Sequence, residues 1–515
     1  MAINKRILTG CSMVLLLLAA GGAGVAADLS LVEAVAQKDM EAARSLLRQN
    51  PDVNAAQPDG STALHWAAHW DALDMTEQLI RAGANVNASN DYGATPLSLA
   101  CTNGNAPIVE RLLAAGANPN TALPSGETAL MRCAHTGRPE AVRSLLERGA
   151  DGKARDNEKG QTALMWAVAQ KHAAAAQALI EGGAEVNARS KGGFTPLLFA
   201  ARVGDVESAR VLLAAGANAN DRTPEGMPAL VLASASGQED VGIFLLDHGA
   251  DPNGADANGA TALHYALVKG ITSLNGVRYA NYVAPWFRPS LTELVRALVA
   301  HGANPNAQLT KAPRIGGSAN PATVGATPFM LAAATPDTNV MRILHEGGAD
   351  ARLGTEKKMT PLLAAAGVAR GQDFTDEEKR EALEAVKLAV SLGADVNAAN
   401  DDGLTAMHGA AANGADGIVE FLAGRGAKLD VKDQYQQTPL SIAAGMRLPW
   451  IPYGEELGEI KQPSTEQLLL KLGAMPLDTP GYFTPVDENS EAYRINRSQR
   501  LQDPALTPAA TPGRP

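Results

Sequence analysis

The sequence predicts an all-α repeat solenoid of about twelve helix–turn–helix units with loop or β-hairpin connections. Three observations carry that prediction. A T-x-L phrase followed by a G-A-[ND]-x-N phrase recurs at a spacing of 33 residues, with the threonines at Thr62, Thr95, Thr128, Thr162, Thr195, Thr261, Thr327, Thr360, Thr405 and Thr438, and Pro228 in register between Thr195 and Thr261. Each period holds two short apolar stripes of helical spacing. Aromatics are only 4% of the chain while Ala, Leu and Gly abound, which suits thin helices packed closely in a stack. Self-similarity at this period means that each unit packs only on its neighbours.

The chain begins with Lys5 and Arg6, an apolar run from Met13 to Ala20, and the small residues Val25-Ala26-Ala27 before Asp28. That order predicts a secretory signal over residues 1–27, with export to the periplasm or the medium; the leader also suits a bacterial export system. The run is shorter than the ~20 residues needed to span a bilayer, so no transmembrane span is expected. Leu8-Thr9-Gly10-Cys11 resembles a lipoprotein box, but Cys11 precedes the apolar run instead of following it. Beyond the leader only Cys101 and Cys133 remain. Export permits a disulfide, yet the two stand one register apart in adjacent repeats and read as small buried residues. The net charge of −11 comes without a basic stripe, which argues against nucleic acid as a partner.

A first, degenerate unit spans 28–60, and regular repeats start at 61. In the repeat from Ala94 to Gly126, Pro96 sits at the first helical position, where its missing N–H costs nothing. Leu97, Ala100 and Cys101 form the i, i+3, i+4 stripe of a short helix that Gly104 ends. Pro107 opens a second helix with Ile108, Val109, Leu112 and Leu113 inward, and Gly116 stops it in a left-handed conformation. Neither helix reaches the ~12 residues of a stable isolated helix, so stacking must supply the stability.

Thr62-Ala63-Leu64-His65, Thr95-Pro96-Leu97, Thr261-Ala262-Leu263-His264 and Thr405-Ala406-Met407-His408 match T-P-L-H. On these residues the chain resembles the ankyrin repeat family over roughly residues 28 to 476. The resemblance implies that His65, His264 and His408 are structural, tying each helix start to the loop, and that the partner is another protein. They occupy one position in three distant repeats, so they cannot converge on a metal. The resemblance also implies that residues late in the first helix and at the loop tip touch the partner. Carried onto this sequence these are His69, Trp70, Asp91, Tyr92, Thr102, Asn103, His135, Thr136, Gln170 and Arg202, with Trp70 expected to face solvent. Trp66, Trp166, Phe199 and Tyr265 share one register and read as packing between helices.

The period is broken in four places, near 271–290, 308–325, 371–383 and 446–463. Counting regular repeats from Thr62, the first two fall in repeats seven and in the loop after it, the others in repeats nine and eleven. Ser290-Leu291-Thr292-Glu293, Thr375-Asp376-Glu377-Glu378 and Ser464-Thr465-Glu466-Gln467 each fit a capping box where the chain returns to the stack. In repeat nine the extra residues lengthen the second helix, from about Asp376 to Leu392. The seventh repeat's insertion holds Tyr279, Tyr282, Trp286 and Phe287; the eleventh holds Trp450 and Tyr453. These rings either bind a partner or bury themselves against the side of the solenoid. Repeat seven, interrupted twice, is the expected weak point. Residues 477–515 are Pro-rich without periodicity and are expected to be disordered.

No phosphate loop, nucleophile elbow, metal-spaced cluster or cofactor motif occurs. The function expected is therefore that of a non-catalytic, exported protein–protein interaction scaffold, monomeric alone, whose partner is an envelope or extracytoplasmic protein. The alternative is a small-ligand or peptide-binding accessory to an envelope enzyme, with a pocket roofed by the seventh insertion, where Tyr279, Tyr282, Trp286 and Arg288 would stack on or clamp the ligand.

Overall fold

A computed structural model describes residues 30–269, 289–312, 323–368, 374–445 and 461–477. The described residues form an all-α repeat solenoid. They fall into two compact units, divided between Pro124 and Ser125.

The first unit holds the degenerate cap and repeats one and two. The cap pairs α1 (Leu31–Ala36) with α2 (Met40–Leu47), repeat one α3 (Ala63–His69) with α4 (Leu73–Arg81), and repeat two α5 (Pro96–Asn103) with α6 (Ala106–Ala114). First helices pack on first helices, α1 on α3 and α3 on α5, and α4 packs on α6. Repeat two follows the expected plan. Thr95 caps α5, and its hydroxyl accepts from the Ser98 N–H at 3.2 Å while the Ser98 hydroxyl accepts from the Thr95 N–H at 2.9 Å. Leu97, Ala100 and Cys101 are buried, as are Ile108, Val109, Leu112 and Leu113 on α6. Full burial of one such Leu or Ile contributes about 1.5–3 kcal/mol, far more than the helix propensity of eight or nine residues. Gly104 has φ +71° and Gly116 has φ +91°, the left-handed conformation both stops require. The second helix begins one residue before Pro107, because Asn105 caps it by accepting from the Ile108 N–H at 3.1 Å.

The second unit repeats the plan through α7 (Ala129–Thr136) and α8 (Pro139–Glu147), α9 (Ala163–Ala169) and α10 (Ala173–Glu181), α11 (Pro196–Val203) and α12 (Val206–Ala214), then α13 (Ala229–Ala235) and α14 (Glu239–Asp247). Repeat seven has a first helix of one turn, α15 (Ala262–Ala266), followed after the insertion by α16 (Thr292–Ala300). Then come α17 (Pro328–Ala334) and α18 (Thr338–Glu346), α19 (Pro361–Ala365) and α20 (Asp376–Ser391), α21 (Ala406–Ala412) and α22 (Asp416–Gly424), and finally α23 (Pro439–Ala443) and α24 (Pro463–Lys471). Isolated antiparallel bridges such as Ala255 with Thr261 and Ala399 with Thr405 make the loop arms minimal hairpins. His248 and His301 cap the C-termini of α14 and α16, each ring Nδ1 lying 2.8 Å from the carbonyl four residues earlier, where a donor is welcome.

The three expected capping boxes fare differently. Thr375 and Glu378 form one, at 2.9 and 3.2 Å, and the long helix α20 starts where predicted. Neither the Ser290 nor the Ser464 box forms. The cap of α16 is Leu291, and the Leu294 N–H is satisfied by Glu239 Oε1 of the preceding repeat at 2.9 Å. At α24 the cap is Gln462, whose N–H donates to Ala443 O at 2.8 Å, and Pro463 takes the first helical position. The preceding repeat holds the start of α16 and the repeat's own first helix holds the start of α24, so a local cap is not needed. Cys101 and Cys133 are fully buried as expected, but each is disulfide-bonded, so they are half-cystines and not thiols. The sequence reading, made from register alone, took both for small buried residues and missed this.

Candidate interaction surface

The repeating loops are held by two kinds of polar staple. In the first, the Thr62 N–H and hydroxyl both donate to His65 Nδ1, at 3.1 and 2.9 Å, while Nε2 lies 3.0 Å from Ala94 O. A backbone N–H can only donate, so Nδ1 is the acceptor and the proton sits on Nε2. His264 repeats this with Ala326 O at 3.3 Å, and His408 with Gln437 O at 3.2 Å. Each ring thus caps its own helix and grips the loop of the following repeat. Burial opposes a charged ring; it lowers all three pKa values, to about 4 for His264 and His408.

The second staple is the last Asn of the G-A-[ND]-x-N phrase. Asn87 Nδ2 donates to Gly116 O at 3.0 Å, and its Oδ1 accepts from the Asn118 N–H at 2.7 Å. Asn54, Asn220, Asn253, Asn306 and Asn397 each make the same pair of bonds one repeat onward. The sequence shows that Asn recurs but not which repeat it bonds.

With the framework accounted for, the predicted contact residues sort themselves. Tyr92, at a hairpin tip of the first unit, is 71% exposed. Trp70 is half-buried, contrary to the open position expected for it. Its ring stacks on Trp66 at 5.8 Å, packs against His69 at 4.4 Å, carries Lys38 Nζ at 3.9 Å over its face, and donates to Ala36 O at 3.2 Å. The cap supplies Ala36 and Lys38, which sequence spacing does not place beside Trp70. Asn103 is exposed but employed, donating to Ala68 O and to His69 O at 3.3 and 2.6 Å, so it closes the C-terminus of α3. In the second unit His135 is half-buried, 5.7 Å from Trp166, and Arg202 lies over Phe194 and Phe199 at 5.1 and 4.9 Å. Gln170 is exposed at the end of α9. Phe199 and Tyr265 are buried, and the polar ends of the other rings are bonded: Trp66 donates to Gln57, Trp166 to Asp156 and Tyr265 to Asp256. That register is packing, as expected.

A sequence-family profile described as "Ankyrin repeats (3 copies)" matches residues 31–122, 115–190, 179–256, 197–279 and 378–451. The chain belongs to the ankyrin repeat family. Among solved structures it is similar to the crystal structure of the human ASB11 ankyrin repeat domain, at 30% identity, covering 43% of this chain and 98% of that one with a TM-score of 0.39. No curated protein matches.

Tyr279, Tyr282, Trp286 and Phe287 of the seventh insertion, and Trp450 and Tyr453 of the eleventh, lie outside the described residues of this ankyrin stack. A cavity of about 380 Å³ opens beside the second helices of repeats nine to eleven, lined by Asp376, Lys379, Arg380 and Asp416 with Leu383 and Ile418. It carries both signs of charge and is open to solvent. Among the described residues no group of three potential metal ligands occurs, and no helix is long and apolar enough to cross a membrane. Sequence reasoning missed Tyr435, 42% exposed. It stands three residues before Thr438, the register in which Tyr92 precedes Thr95, and that shared register was the available signal.

Proposed function

We propose that this ankyrin repeat protein is a non-catalytic scaffold, exported from the cytoplasm, that binds another protein of the extracytoplasmic space. Ankyrin repeats generally mediate protein–protein interaction, and proteins built from them are typically non-catalytic scaffolds. The observation that carries the reading here is Tyr92, a large ring 71% exposed at a hairpin tip whose backbone is fixed. Its N–H donates to Asn90 Oδ1, and Asn90 also accepts from the Ala94 N–H, so the ring is presented by a rigid turn. A preorganised aromatic loses little entropy on binding, which is why such rings dominate interfaces. Export rests on the leader sequence, and contact through the seventh insertion rests on its aromatic content.

The test is capture of tagged protein from its native cells after mild cross-linking, beside Tyr92→Ala and a form with residues 275–288 replaced by a Gly/Ser linker. A specific protein held by the parent and lost from either variant supports the reading and assigns the interface. Turnover of a substrate by the purified protein, abolished by one point change, would overturn it.

A further inference from the structure

Among the described residues the exposed large hydrophobic side chains are Tyr92, Tyr435, Leu470, Leu472 and Met475. None lies in the cap, and three fall within six residues at the end of α24. Their register explains why. Leu146 on α8 and Val299 on α16 occupy the position of Leu470. Both reach into the following repeat: a Cβ on Gly182 would stand 2.6 Å from Leu146, and one on Gly347 would stand 2.5 Å from Val299. A side chain at this position therefore packs on the next repeat, and Leu470, with no further repeat described beyond it, is 41% exposed. Met475 stands where inner repeats carry Asn85, Asp251 or Asp350, and it is 64% exposed. Its own N–H donates to Asp430 Oδ1 at 2.9 Å, so the last loop is held in the geometry of a repeat that expects a neighbour. Terminal repeats normally turn a polar face outward; this one turns Leu470, Leu472 and Met475.

We propose that the chain's own residues 478–515 cover this end, with Tyr482, Phe483 and Val486 seated on Leu470, Leu472 and Met475. The segment leaves the stack at the apolar end itself. Five extended residues span roughly 17 Å, more than the ~10–12 Å breadth of a helix, so Tyr482 reaches across the face. Pro480 and Pro485 flank the two rings in the sequence. Asp487, Glu488 and Glu491 follow, and Lys471 is exposed beside the apolar trio.

Hydrogen exchange of the full chain tests this with two variants, Tyr482→Ser/Phe483→Ser in the segment and Leu470→Ser/Met475→Ser on the end of α24. The proposal expects residues 464–475 to exchange about tenfold faster in the segment variant, with α7 to α14 unchanged. It expects residues 480–488 to lose protection in the α24 variant. Unprotected exchange of 480–488 in the parent, or protection there that survives the α24 variant, would overturn it. Light scattering separates a second occupant: a parent dimer that Leu470→Ser/Met475→Ser disperses and Tyr482→Ser/Phe483→Ser does not would assign the face to another copy of the chain.

Discussion

Two junctions of the second unit follow one plan and differ at one residue. Between repeats six and seven, Asn253 donates to Gly302 O at 3.1 Å and accepts from the Asn304 N–H at 2.7 Å. Between repeats eight and nine the same position is Arg352, which turns back on Asp350 of its own loop at 3.0 and 3.1 Å. Repeat seven holds a long insertion, yet its staple is intact, because the insertion falls between the two helices in the sequence and the staple lies at the loop edge. The lesson is that a repeat tolerates length on one edge and depends on residue identity at the other. Beside repeat seven it adds two expected weak points, the junction after Arg352 and that at Lys153, which also stands where Asn would and pairs with Glu185 at 3.5 Å instead.

Acid should break the comparison hardest. His264 and His408 hold their loops only when neutral, with pKa lowered to about 4 by burial against an ordinary value of 6.5. Their contribution is complete above pH 6.5 and is lost as the pH falls toward 4, by about 3 kcal/mol each. Urea unfolding followed by circular dichroism at pH 7.5, 5.5 and 4.5 should show the loss, and His408→Ala should remove about half of it while costing about 2–4 kcal/mol at pH 7.5. Asn253→Ala comes next: losing both bonds of a mostly exposed staple should cost about 1–2 kcal/mol and speed exchange of residues 302–306. Arg352→Asn runs the comparison in reverse. Supplying the missing staple should slow exchange around Gly393 and Asp395 and stabilise by about 0.5–1 kcal/mol; an unchanged rate would show that identity at this position is immaterial. Tyr92→Ala should move stability by less than about 0.5 kcal/mol, since the ring is mostly in water, while capture of the partner falls.

Much of this was legible in the sequence, and the reason is local. Thr95 as cap, Pro96 at the first helical position and Gly116 at φ +91° act within a few residues of themselves, so their pattern carries their meaning. Groups that act one repeat away were not legible. Asn253 finds partners far along the chain, Glu239 caps a helix of the next repeat, and Lys38 shields Trp70 from a loop of the cap. The candidate surface suffered most, since exposure is decided by what neighbouring repeats cover. Trp70, at the end of a first helix, and Tyr92, at a loop tip, are both read from sequence as contact residues; one is half-buried and the other is 71% exposed.

The molecule divides into a framework of His and Asn staples and a set of tips and first-helix ends that we assign to binding. Hydrogen exchange of the full chain, alone and with its captured partner, tests that division most directly. It predicts new protection around Tyr92, the ends of α3, α7 and α11, or residues 275–288, with the staple loops at Asn220, Asn253 and Asn306 unchanged. Protection confined to the staple loops, or no difference anywhere, would contradict it.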